Sequence, residues 1–304
     1  MNRVLGVLCG ALLVLSGCSS TGDADVSASP TIGDISMIEV GASDTLAPAL
    51  SWPEGIDFTR IQSTVMWDGE GELLVDGQPL LLDMYVQSLD TGTILENTYD
   101  ALPRSFLLAP EFLGDDLYNV LLTARVGTRV VSVAPPAGEF EDEPAIAIVI
   151  DVLSDRAVGE RQEANPALPS VSLSTTGEPE ITLKADQLPQ TDLTISTLIQ
   201  GDGEQIRPGS YIVAQTKVVY AADGSVDEKS WAAGDVRQTS WSPEQAPFEG
   251  QVGVGNLPRA LDEGLIDQTS GSQVMIVAPE GFAYAGEGTL IYVIDILDVL
   301  NKEA

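Results

Sequence analysis

The chain has 304 residues, enough for two domains with a core each, and 14 Lys+Arg stand against 46 Asp+Glu for a formal net charge of −32. That surplus of carboxylates excludes nucleic acid and anionic lipid headgroups as partners, because phosphate binding needs clustered cations. The absence of His excludes His-based triads, His acid–base work and most catalytic zinc sites, so neither a cofactor nor a metal is expected.

Residues 1–18, MNRVLGVLCGALLVLSGC, set one Arg before an apolar run that is too short to span a bilayer and fits a signal peptide. Small residues precede Cys18, which resembles the bacterial lipoprotein box and implies acylation there; an ordinary signal peptide cut near the same place is the alternative. Cys9 and Cys18 are the only cysteines, so the body beyond them has no disulfide and must be held by core packing. Residues 19–40 begin polar and Gly/Ser/Asp-rich and are expected to form a flexible tether.

Beyond residue 40 the chain repeats itself. Thr64–Gly92 aligns with Ser196–Gly224 at an offset of 132, so that Gly69, Gly71, Gly77 and Gly92 meet Gly201, Gly203, Gly209 and Gly224. Such glycines between short apolar runs are expected at positive φ in turns that join antiparallel strands. Past Thr98 and Ser230 the offset changes to 144, so the second copy carries about 12 extra residues, expected mostly as a loop within 232–250. Leu117 and Leu121, like Leu261 and Leu265, stand four apart and predict one face of a short helix. Strands follow in GTRVVSVAP, Gly127–Pro135, and GSQVMIVAP, Gly271–Pro279, each stopped by its Pro, and the last strands are AIVIDVL and IYVIDIL. A period that returns at 144 for Gly127/Gly271 and again for Asp151/Asp295 marks duplicated structural units. The expected class is α+β, with one domain over 41–155, a charged and Pro/Ser-rich linker over 156–172, and a second domain over 173–304.

The order GTILENTY (Gly92–Tyr99), VGTRVVSVAPP (Val126–Pro136), VIDVL, and its second copy GSVDEKSW (Gly224–Trp231), SGSQVMIVAPE (Ser270–Glu280), VIDIL, resembles the FKBP-type peptidylprolyl isomerases. The likeness extends over nearly all of the chain beyond residue 40 and is similar to tandem lipoproteins of actinobacterial type. It implies two FKBP-like domains, each a twisted antiparallel sheet wrapped on one short helix with a shallow apolar pocket between them. Rotation about a prolyl peptide bond meets a barrier of about 20 kcal/mol and breaks no covalent bond. An apolar hollow and a few donors suffice, and a chain without His can supply both.

Carried over by position, the resemblance assigns Tyr85, Leu95, Glu96, Leu117, Phe140 and Ile148 to the first pocket. To the second it assigns Glu228 after Asp227, Leu257, Leu261, Tyr284 and Tyr292, with the early-strand Tyr replaced by Lys217, or by Thr216 if the register slips. Both copies depart from the family: Leu117 and Leu261 stand where a Trp floors the pocket, and Pro258 removes a backbone donor. The implied protein is an exported isomerase with a degenerate, low-activity pocket. It is held on the outer face of the membrane through Cys18, meets proline-containing unfolded or secreted polypeptides, and acts as a monomer. A non-catalytic chaperone or protein-binding lipoprotein on the same scaffold is the alternative reading.

Overall fold

A computed structural model of the chain describes residues 31–41, 47–136, 144–184, 191–242 and 245–302. Strands dominate and the helices are short. The first sheet is built from β1 (Gln62–Trp67), β2 (Pro79–Ser88), β3 (Ile94–Asn97), β4 (Arg104–Leu107), β5 (Arg129–Ala134) and β6 (Ile146–Leu153), with α1 (Asp115–Leu121) between β4 and β5. The strand order is β1-β5-β6-β2-β3, β4 also pairs with β2, and every pair is antiparallel.

The second sheet repeats that plan. After β7 (Glu160–Arg161) come β8 (Thr194–Gln200), β9 (Tyr211–Tyr220), β10 (Gly224–Val226), β11 (Lys229–Trp231), β12 (Val236–Thr239) and β13 (Phe248–Gln251), then α2 (Arg259–Gly264), β14 (Gln273–Ala278) and β15 (Leu290–Leu300). Its order is β7-β8-β14-β15-β9-β12 with β13 also on β9, while β10 and β11 form a separate hairpin.

Strand alternation explains why both faces of each sheet are covered. On one face of the first sheet Leu80, Leu82, Val130, Ile150 and Val152 pack with Leu121 of α1; on the other Tyr85, Val131, Val133 and Val149 pack with Ile38 and Phe58 from the N-terminal segment. In the second sheet Ile212, Ala214, Ile276 and Ile294 meet Leu261 and Leu265, whereas Met275, Val277, Ile291 and Val293 are covered by Leu168, Val171 and Ile181. Burial on two sides is what lets β14 read, after Gln273, as the unbroken apolar run VMIVA.

Four expectations change. The span 156–172 is not a free linker: Glu160 and Arg161 pair with Gln200 and Ile199, and Leu168 is buried in the second core. The tether to residue 40 is too long: from Thr31 the chain is folded, with a 3-10 turn at Ile35–Met37 and Ile38 only 5% exposed in the first core. Its first part, with Cys18, lies outside the described residues. The extra residues of the second copy do not enter mostly within 232–250. Tyr85 pairs with Asn97 and Lys217 with Thr239, so the offset has already risen from 132 to 142 by β12, and the hairpin β10–β11 accounts for the increase. Residues 232–250 also contain β12 and β13. The matched glycines, finally, have two reasons rather than one. Gly77, Gly92 and Gly209 have positive φ, but Gly69 and Gly201 are needed for close approach: a Cβ would stand 2.1 Å from the carbonyl oxygens of Val126 and Ser270 respectively.

Candidate functional site

The second sheet gathers four of the expected residues. Leu261 is buried in the cluster between α2 and the sheet, Tyr292 of β15 belongs to the same cluster, and half-buried Leu257 and Tyr284 pack against it. α2 holds Leu261 there because Ala260, Leu261 and Gly264 face inward, and Gly264 leaves room for Ile276, whose Cδ1 would lie 2.7 Å from any Cβ at that position. The helix starts at Pro258, which serves as its N-cap residue and has no N–H to donate.

Two buried hydroxyls have no partner among the described residues. Tyr292 is 3% exposed and Thr216 5% exposed, yet neither the Tyr292 hydroxyl nor the Thr216 Oγ1 makes a hydrogen bond. They are neighbours: Thr216 pairs with Ile294 and Val218 with Tyr292 across β9 and β15, and Thr216 lies on the helix-side face by alternation with Ala214 and Val218. Leaving a buried hydroxyl unpaired costs about 1–3 kcal/mol, so both groups carry unmet hydrogen-bonding capacity on the helix-side face of the sheet. Burial, with the fields of Tyr284 and Glu287, holds the Tyr292 phenol above its ordinary range, against the opposing pull of Arg237. It is a neutral hydroxyl throughout the physiological range. The Trp241 Nε1 is a third buried group without a partner.

Arg237 closes one side. It forms a two-nitrogen ion pair with Glu287, and its guanidinium carbon lies 3.8 Å from the centre of the Tyr284 ring. The Tyr284 ring is thus held in place by a charge that is itself neutralised.

The other expected residues are placed differently. Glu228 is exposed on the β10–β11 hairpin, not beside Leu261. The correct counterparts of Leu95 and Glu96 are Arg237 and Gln238, because Glu96 pairs with Val86 and Gln238 with Val218. In the first sheet Leu117 and Ile148 pack on the helix-side cluster, but Tyr85 belongs to the core on the opposite face, since Met84 and not Tyr85 points toward the helix. Lys217 is turned away likewise and forms an ion pair with Glu178 at 2.8 Å; Thr216 takes the inward place. Leu95 is 51% exposed and Glu96 is paired with Arg104, neither of them against Leu117. Phe140 lies outside the described residues. The amide three residues before Leu117, that of Gly114, is donated to the Pro110 carbonyl at 2.8 Å.

Arg237 and Glu287 were not singled out from the sequence. The signal that would have found Arg237 is a hydroxyl repeat: Thr98 Oγ1 accepts from the Met84 amide and donates to Asp83, as Ser240 Oγ accepts from the Thr216 amide and donates to Gln215. Aligning Thr98 with Ser240 instead of Ser230 moves the inserted hairpin to its proper place.

No model of a protein family matches the chain. It is 29% identical over 128 residues, 40% of its own length, to a "Probable FK506-binding protein" of Corynebacterium glutamicum, 97% of which is covered. Among solved structures, a crystal structure of the three FKBP domains of wheat FKBP73 is 14% identical, with a TM-score of 0.31 and coverage of 80% of this chain and 95% of that one. The curated match supports the FKBP-type family that the sequence motifs resemble.

Proposed function

We propose that the chain is an exported, lipid-anchored peptidyl-prolyl cis–trans isomerase of the FKBP type, in which the second of two domains holds proline-containing segments of unfolded secreted polypeptides. The observation that carries the reading is the convergence of Leu257, Leu261, Tyr284 and Tyr292 in one cluster, with the hydroxyls of Tyr292 and of neighbouring Thr216 left without a partner among the described residues. The leucines offer the proline ring an apolar bed. Thr216 and Tyr292 offer hydrogen bonds to an amide whose conjugation is broken as it twists, which is how rotation is favoured without a nucleophile. The first domain presents Met84 and Ile148 at the equivalent places, both without a polar group, and serves as a scaffold or a weak apolar contact.

A second reading, binding without turnover, is favoured by the missing amide at Pro258 and by Arg237 lying over Tyr284. A protease-coupled assay on a proline-containing tetrapeptide separates the two: acceleration by the full chain supports turnover, and its absence at high protein concentration leaves only binding. The anchor is tested separately by incorporation of labelled palmitate, which Cys18→Ser should abolish.

A further inference from the structure

The hairpin β10–β11 exists only in the second copy, and it builds a cleft that the repeat plan does not require. Its strands pair Gly224 with Trp231 and Val226 with Lys229, and Asp227 at the turn has φ +52. Trp231 folds back onto Tyr220 of β9, with ring centres 4.3 Å apart and planes 14° from parallel. Its ring lies flat on Gly224, where a Cβ would come within 2.7 Å. That stack fixes the hairpin against the sheet and leaves a cleft of about 780 Å³ lined by Tyr220, Trp231, Asp227, Glu228, Lys229 and Arg237.

The cleft shares a wall with the site described above. Arg237 faces it on one side and covers the Tyr284 ring on the other, and Glu287, its ion-pair partner, lines the cleft as well. The unpartnered Tyr292 hydroxyl, nine-tenths or more buried, feels the charges of both Arg237 and Glu287. Since Arg237 is neutralised by Glu287, the charges left on the rim are Asp227 and Glu228 against Lys229. The aromatic floor and the acidic surplus both favour a cation.

We propose that this cleft is an extension of the binding site that receives a Lys or Arg side chain flanking the proline of an extended polypeptide. The proposal rests on the prolyl-binding reading for its orientation, and it adds a sequence preference which that reading does not contain. A flanking residue is the natural occupant because Arg237 both lines the cleft and covers the Tyr284 ring.

The test measures binding of three tetrapeptides to the full chain at low salt, identical but for Lys, Ala or Glu before the proline, together with a lysine peptide whose proline is replaced by Ala. Wild type should bind the Lys peptide about fivefold or more tighter than the Glu peptide, the range expected of two exposed charges. D227K/E228K should remove or invert that preference. Both substitutions are on exposed positions, and an unchanged circular dichroism spectrum reports that the fold is intact. Equal binding of the Lys and Glu peptides by wild type, or a preference untouched by D227K/E228K, overturns the proposal while leaving the prolyl reading in place. If replacing the proline leaves the lysine peptide equally well bound, the prolyl reading falls and the cation cleft stands. If no peptide binds, both fall.

Discussion

Arg129 and Gln273 occupy the same place in the two sheets, and the difference between them shows how one fold tolerates two chemistries. Arg129 is fully buried; it pairs with Asp151, while Tyr99 donates to that carboxylate at 2.6 Å and Trp67 lies 4.2 Å from the guanidinium carbon. In the second sheet Gln273 donates to Asp295 at 2.8 Å and the Ala157 amide supplies a further bond at 2.9 Å. A carboxylate is kept in both, satisfied once by a charge and once by neutral donors. Removing Arg129 leaves a carboxylate without its counter-charge, so Arg129→Ala should cost about 3–5 kcal/mol. Gln273→Ala should cost about 1 kcal/mol, one neutral bond among two. Urea denaturation of the two variants checks the ranking, and equal losses would contradict it. Tyr292→Phe belongs to the same scale with the opposite expectation. Its hydroxyl has no partner to lose, so stability should change by less than about 1 kcal/mol while ligand-dependent behaviour suffers.

At the scale of elements, the glycines give the sharpest test. Gly201→Ala forces a Cβ to within 2.1 Å of a backbone oxygen that cannot swing aside, and should lower stability by about 3 kcal/mol or more. Gly209→Ala meets open space but strains a φ of +96, and should cost about 1–2 kcal/mol. Thermal melts of both variants decide the order; a larger loss for Gly209→Ala would refute it. The same elements show what was legible in the sequence. The strands GTRVVSVAP and GSQVMIVAP, the short helices and the shared strand order could be read because apolar period and glycine spacing are imposed by burial. The placement of the insertion could not, because β10–β11 is polar, follows Gly224 directly and leaves the surrounding offsets plausible until pairing fixes Lys217 opposite Thr239. The places of Glu228 and Tyr85 follow from that insertion and from strand parity. Gln238, not Glu228, is the counterpart of Glu96, and Tyr85 lies on the face opposite Met84; one residue of register moves a side chain to the other side of a sheet.

At the scale of the whole molecule the segment that joins the two sheets is tied to both of them. Arg156 pairs with Glu72 of the first unit at 3.3 Å, the next residue caps Asp295, and β7 adds to the edge of the second sheet. Burial pushes Asp83 up to about 6, and the nearby charges of Asp298 and Asp151 add to the effect against the Thr98 hydroxyl and Arg129. Between the ordinary value of 3.8 and about 6 the folded chain therefore binds more protons than the unfolded one, and this group's contribution to stability is lost as pH rises through that window. Asp83→Asn should be stabilised relative to wild type by on the order of 2 kcal/mol more at pH 7 than at pH 4; parallel pH profiles of the two proteins would contradict this. The molecule is then a pair of like sheets, one with the hydroxyls of Thr216 and Tyr292 on its helix-side face and the other with Met84 and Ile148 in their place. The most direct test of that claim is the rate of prolyl isomerisation by the full chain in three forms: wild type, Tyr292→Phe and Ile148→Val. The account predicts acceleration by wild type, a loss of about tenfold or more in Tyr292→Phe and no change in Ile148→Val. Acceleration that survives Tyr292→Phe and is lost in Ile148→Val would place the activity in the first sheet and contradict it.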